Sequence, residues 1–244
     1  MHSSNLPRII IAVLVSAFLA GLIGCQGMED IKGVDRSVFF PSLRATLDFD
    51  REARKEGSSE RPIRVQAEFD YVYVSGRSSQ DLRSSTFIDF RGTKIDGPAH
   101  VKADYMIESF SAAGKVGGEI LPHLRLEGIL GGACYLFHMG LEAETASVHG
   151  GTFTVGPMVG LQLALEPFSG LTLYGRTTSG FGLFGRIPSD VISVEAGLSI
   201  RLARSLSLAG GWRKLRYREN DLYEQDSTVD LSSSGPMAGI HLSF

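Results

Sequence analysis

The feature that most constrains this chain is a period of two in its apolar residues. Ile63, Val65, Ala67, Phe69, Tyr71 and Tyr73 alternate with Arg64, Gln66, Glu68 and Asp70. The pattern returns in Phe153, Val155, Val159, Leu161, Leu163 and Leu165, set against Thr152, Thr154, Gln162 and Glu166. It returns again in Ile192, Val194, Ala196, Leu198, Ile200 and Leu202, against Ser193, Glu195, Ser199 and Arg201. Successive side chains of a strand point to opposite faces, so this period predicts half-buried strands. No segment of comparable length carries a helical period, and the expected fold class is all-β.

Turn chemistry then sets the strand count. Leu121-Pro122-His123, Glu166-Pro167-Phe168-Ser169-Gly170 and Ala203-Arg204 read as tight connections. Between them lie longer polar or Gly-rich ones, at about 76–97, 139–150, 180–189 and 219–228. Alternation of short and long connections is the habit of transmembrane barrels, with short periplasmic turns and long outer loops. The strands fall at approximately 63–75, 99–120, 123–138, 151–165, 170–180, 190–202, 205–218 and 229–244. The expectation is therefore an eight-stranded antiparallel up-and-down transmembrane β-barrel over residues 63–244. An even count would place both ends of the barrel on the periplasmic side. Within 99–120 the apolar phase changes, from Val101, Ala103, Tyr105 and Ile107 to Phe110, Val116, Gly118 and Ile120. A bulge near Glu108 or Ser109 would restore it, or the first half is loop projecting beyond the membrane.

Composition narrows the alternatives. A net charge of −3 gives no basic field for nucleic acid. A mean hydropathy of +0.06 excludes a polytopic helical membrane protein, which needs several apolar runs of about 20 residues. The 29 glycines suit strands that approach one another closely in a small barrel, together with turns. Two cysteines, Cys25 and Cys134, make no disulfide framework, and Cys134 is read as an unpaired small apolar residue, buried or lipid-facing.

The first 24 residues look like an address. Arg8 precedes an apolar run from Ile9 to Ile23 that ends Leu22-Ile23-Gly24-Cys25. A basic start, a short apolar region and small residues before a cut describe a secretory signal. Leu-Ile-Gly-Cys resembles the bacterial lipobox, which implies acylation at Cys25. Gln26 stands where Asp favours inner-membrane retention in such lipoproteins, so the resemblance implies transport to the outer membrane. Residues 25–62 are expected to form a lipidated periplasmic tether. The run Arg51-Glu52-Ala53-Arg54-Lys55-Glu56 is too charged to fold alone. Leu43, Ala45, Leu47 and Phe49 alternate with Arg44, Thr46, Asp48 and Asp50, which could make a strand, but the tether reading is preferred.

Alternation alone does not separate a membrane barrel from a soluble sandwich or a lipocalin-like barrel. The end of the chain does. Ala238, Ile240, Leu242 and Phe244 share one face of the last strand, after Gly211-Trp212-Arg213 and Gly235-Pro236 upstream. This resembles the final hairpin of small eight-stranded outer-membrane proteins of the opacity and outer-membrane protein A-like kind. The resemblance implies that Ile240, Leu242 and Phe244 act as the signal recognised by the barrel-insertion machinery. It also implies residence in the outer membrane of a Gram-negative cell, with the N-terminus on the periplasmic side and outer-membrane lipid as a partner.

Eight strands leave an interior just wide enough to be filled by side chains. Arg64, Glu68, Asp70, Lys115, Glu119, Arg125, Glu127, Glu195, Arg201 and Arg213 fall on the predicted inward face. Five basic and five acidic groups make a polar core of paired charges the expected reading. A narrow water or ion path is the functional alternative. His241 and Ser243 share a strand face and invite a lipid-hydrolase reading, but they sit at the predicted periplasmic rim with no acid beside them. No histidine pair has metal-ligand spacing on a common face, and no phosphate loop opens a helix. Tyr71, Tyr73, Tyr105, Tyr135, Phe137, Phe153, Tyr174, Phe181, Phe184, Trp212 and Phe244 suit interfacial girdles, with core packing as the alternative for each.

The expected function is that of a non-enzymatic outer-membrane barrel with a structural or surface-interaction role, without cofactor or metal. An extracellular ligand would contact the loops, whose sequences do not identify it. The alternatives are a narrow porin-like channel, a lipid-modifying enzyme, and a soluble lipocalin-like periplasmic lipoprotein.

Overall fold

Long alternating segments separated by turn residues become long strands. The computed structural model describes residues 38–49, 63–82, 84, 87–90, 93–185, 189–219 and 229–244, and over these it is all-β without helix. The strands are β1 (Phe40–Asp48), β2 (Arg64–Leu82), β3 (Phe87–Phe90), β4 (Thr93–Asp96), β5 (Ala99–Leu121) and β6 (Leu124–Glu142). They continue with β7 (Ser147–Phe168), β8 (Leu171–Gly182), β9 (Phe184–Gly185), β10 (Ser189–Arg201), β11 (Leu206–Glu219) and β12 (Val229–Ser243).

Nine of these strands close into a ring, in the order β1, β2, β5, β6, β7, β8, β10, β11, β12 and back to β1. Every seam is antiparallel except the last, where β12 and β1 run parallel from Phe40↔Met237 to Thr46↔Ser243. Strand β9 adds a short pairing to β7, and β3 with β4 forms a separate hairpin in the connection between β2 and β5. The ring is staggered, as closure of a twisted sheet requires. The partner row that leaves β1 near its start, at Phe40, passes Met237, Gly211, Gly197, Tyr174, Ala164 and Arg125 and reaches β5 near its end, at Glu119.

All eight expected strands are present, and the ring contains one more. Residues 40–48, read from sequence as tether, form β1 between β2 and β12. The alternation of Leu43, Ala45 and Leu47 with Arg44 and Thr46 is the physical basis: Leu43 and Leu47 are exposed and Arg44 is buried. An odd count also corrects the expectation that both ends of the sheet lie together. The start of β1 lies at one end of the ring and the close of β12 at the other. Residues 1–37 and 50–62, and with them the expected signal segment, Cys25 and most of the expected tether, lie outside the described residues.

Three tight turns share an end of the ring: Pro122-His123, Ser169-Gly170 and residues 202–205. His123 and Gly170 take positive φ, of 67° and 89°, which the reversal requires and glycine adopts freely. At the other end three of the four connections expected from sequence are shorter than predicted, because the strands run on. The stretch 139–150 is no long loop, since β6 ends at Glu142 and β7 starts at Ser147. Strand β7 pairs with β8 only from Met158 onward, yet its pairing with β6 continues to Ser147. Strands β2, β5, β6 and β7 thus project past their neighbours. Leu82, Ile95, Val101, Ala103 and Leu141 pack as a small apolar cluster on the inner face of this projection.

The bulge expected near Glu108 and Ser109 is absent. Strand β5 holds one register with β6 from Lys102↔Glu142 to Glu119↔Arg125, and shifts only between Glu119 and Leu121. Val101, Ala103, Tyr105, Ile107, Ala113 and Lys115 all point inward on one unbroken row. What changes along the row is the chemistry of the interior, from apolar to charged. That change looked like a slip of phase.

Candidate functional site

The interior of the ring holds the densest chemistry. On β2 the inward row reads Glu68, Asp70, Val72 and Val74, so one strand carries charge toward the tight turns and aliphatic side chains toward the long connections. Strand β11 does the same with Arg213, Leu215 and Tyr217. The interior therefore has two layers.

The charged layer contains Arg44, Lys115, Arg176 and Arg213 with Glu68, Asp70, Glu127 and Glu195, four cations and four anions, all with buried side chains. Arg44 on β1 reaches Glu195 at 3.1 Å, Asp70 at 3.3 Å and Glu68 at 3.8 Å. Lys115 lies 2.9 Å from Glu127 and 3.3 Å from Glu68, and donates to Gln162 Oε1 at 3.3 Å. Arg176 donates to Glu68, and Arg213 to Glu195 while standing 3.6 Å from Asp70. Glu68 on β2 and Arg176 on β8 come from opposite walls, four strands apart one way around the ring and five the other, so this contact spans the interior. Burial of eight charges is costly unless each is paired. Here each cation has an anion within reach.

The second layer is apolar. Val72, Val74, Tyr105, Ile107, Tyr135, Phe137, Met158, Val191, Leu215, Tyr217 and Leu231 pack together with Phe40. Phe137 from β6 stacks on Tyr217 from β11, with ring centroids 4.8 Å apart. Tyr105 Oη and Ser233 Oγ, from β5 and β12, share a hydrogen bond of 2.7 Å. These contacts also join distant walls. Between the layers a cavity of about 30 Å³ is bounded by Asp70, Arg176 and Arg213 below and Tyr135, Met158 and Leu215 above.

Of the residues predicted to line the interior, the structure brings Glu68, Asp70, Lys115, Glu127, Glu195 and Arg213 into one network. Arg64, Glu119, Arg125 and Arg201 lie on the same rows but near the tight-turn end. There Glu119 is exposed, Arg64 and Arg125 are half-buried, and the Arg201 side chain is 55% exposed with Glu166 at 3.8 Å. Sequence reading missed two of the four cations. Arg44 was assigned to the tether. Arg176 follows Leu171, Leu173 and Tyr174 in a short strand where Thr172 and Gly175 blur the alternation, although its spacing from the Gly170 turn matches that of Glu195 from the turn after Arg201.

Outside the ring the pattern inverts. Leu43, Val65, Phe69, Phe110, Val116, Leu126, Leu130, Val159, Leu161, Ile192, Leu198, Ile200, Leu208, Trp212 and Ile240 are exposed. Ile240, half-buried Leu242 and exposed Phe244 belong to this outer face, and Phe244 is tied to β1 through its amide to the Thr46 carbonyl at 3.0 Å. Cys134 is a free thiol, half-buried. The aromatics divide: Phe153, Phe181, Trp212 and Phe244 are exposed, whereas Tyr105, Tyr135, Phe137 and Tyr174 are interior. On the projection the outward positions turn polar, with Arg77 paired to Asp104 at 2.9 Å and His138 and His149 lying over Gly151 and Gly140 of the facing strand.

His241 stands opposite Arg44 with its ring 6.2 Å from that of Tyr174, and Ser243 is exposed. Among the described residues no group of three or more His, Cys, Asp or Glu side chains converges to hold a metal. No family model, no curated protein and no solved structure matches this chain.

Proposed function

We propose that the closed sheet is a nine-stranded transmembrane β-barrel of an outer membrane, sealed by its own side chains, with a structural or surface-interaction role and no enzymatic one. The observation that carries this reading is the inversion of polarity: charges inside, an apolar belt outside. On β10 the outward row from Ile192 to Leu202 contains no charge. Ten residues of strand cover about 33 Å, and a tilt of roughly 40° brings that to about 25 Å, the height of a barrel's apolar band. Water-soluble monomers rarely expose a continuous apolar patch beyond a few hundred Å². In lipid the same belt is buried and every backbone group is satisfied by ring closure.

A channel is the less favoured reading, because Glu68–Arg176, Phe137–Tyr217 and Tyr105–Ser233 cross the interior at separate levels. The barrel-insertion machinery would read Ile240, Leu242 and Phe244, and the projecting strands would meet any external partner. An odd strand number with a parallel seam departs from the even, wholly antiparallel bacterial pattern, so the likeness to opacity and outer-membrane protein A-like barrels extends to architecture and chain end only.

The test uses a Cys25→Ala variant, which removes any lipid anchor. The protein should remain in carbonate-washed membranes and show a heat-dependent shift on a gel in detergent. Release into the wash, as a lipocalin-like domain would be released, contradicts the reading.

A further inference from the structure

We infer that the chain enters the barrel from the end that carries the long connections, so that Val38 lies across the membrane from Phe244 and the tight turns. The inference rests on the membrane reading above and adds a topology to it. Its basis is the direction of β1. At the start of the seam the Val38 amide donates to the Ser234 carbonyl at 3.2 Å, and Phe40 faces Met237. At its close Asp48 N donates to the Phe244 carbonyl at 3.1 Å. The start of β1 therefore shares an end with Val229, which follows the long connection from Glu219, and its close shares an end with the tight turns.

The seam is built into the sequence. A Cβ at Gly235 would collide with the Val38 backbone, and one at Gly239 with Ser42, so β12 leaves room for β1 at two positions. Arg44 then ties β1 to the buried anions of β2 and β10.

The experiment places an epitope tag after Gly33 in the full chain, and in separate proteins after Asp226 and after Ala203. Each is accepted only if the heat-dependent gel shift is retained. Protease added to intact cells should remove the tags at Gly33 and Asp226, with the tag at Ala203 lost only after permeabilisation. A tag at Gly33 that is protected together with the one at Ala203 overturns the inference while leaving the barrel intact. If all three tags are lost together and the Cys25→Ala protein washes off the membrane, the barrel reading fails and the inference with it. As a second readout without inserted residues, Lys32→Cys in a Cys134→Ser background should react with an impermeant maleimide on intact cells. Reaction only in lysed cells contradicts the topology.

Discussion

The two layers inside the ring occupy the same strands and solve the same packing problem with different chemistry. Toward the tight turns, Glu195 is shared by two guanidiniums, Arg44 and Arg213, and Glu68 by Arg44, Lys115 and Arg176. Toward the long connections, Phe137, Tyr217 and Ile107 fill equivalent space without charge. A charged layer is sensitive to the loss of one partner, because the group left behind stays buried and uncompensated. An apolar layer loses only transfer energy and the cavity term. The outer face changes in the opposite sense: it is apolar around the charged layer and carries Glu108, Lys214 and Arg216 beside the apolar one.

The largest effect is expected from breaking the charged layer. Glu195→Ala leaves the buried Arg44 and Arg213 to share Asp70 and should lower stability by about 3–5 kcal/mol, read by urea unfolding of protein refolded into lipid vesicles. A Glu195→Leu, Arg213→Met double variant should recover part of that loss, since both members of one pair are then apolar. A double variant less stable than Glu195→Ala would refute the account of the layer as a mutually paired network. Next comes Phe137→Ala in the apolar layer, at about 3–4 kcal/mol, independent of salt in the same assay. Arg201→Ala should be smallest, because its pair with Glu166 is half in solvent. A change of about 0–1 kcal/mol is expected there, and a loss comparable to Phe137→Ala would show that the turn end belongs to the interior.

The same comparison explains what was legible in the sequence. The outer apolar rows were, because period-two alternation survives wherever the inward neighbour is charged or small, as in Ile192–Leu202. All eight antiparallel strands and the three tight turns followed. In the apolar layer the inward row of β5 is apolar while Lys102, Asp104 and Glu108 point outward, so the apolar face switches sides along the strand. Tyr105 and Ile107 then looked out of phase with Phe110 and Val116, and 139–150 looked like loop although it is mostly strand. Strand β1 was missed for a different reason. Its pairing depends on Gly235 and Gly239, nearly two hundred residues away, and no local pattern carries a long-range seam. Arg44 was lost with it, and with Arg44 the charge balance of the site.

Everything distinctive in this architecture depends on the parallel seam, which one cross-link tests. Thr46 and Ser243 are partners in the parallel register. In a background lacking Cys25 and Cys134, Thr46→Cys with Ser243→Cys should form a disulfide on mild oxidation of the folded protein. Its halves should stay joined after trypsin cuts the Arg51–Arg61 stretch, and separate on reduction. The control, Phe40→Cys with Ser243→Cys, should not cross-link. Absence of the first disulfide in protein that keeps its heat-dependent gel shift, or equal cross-linking of the control, would mean that β1 does not close the ring and that the barrel has eight strands.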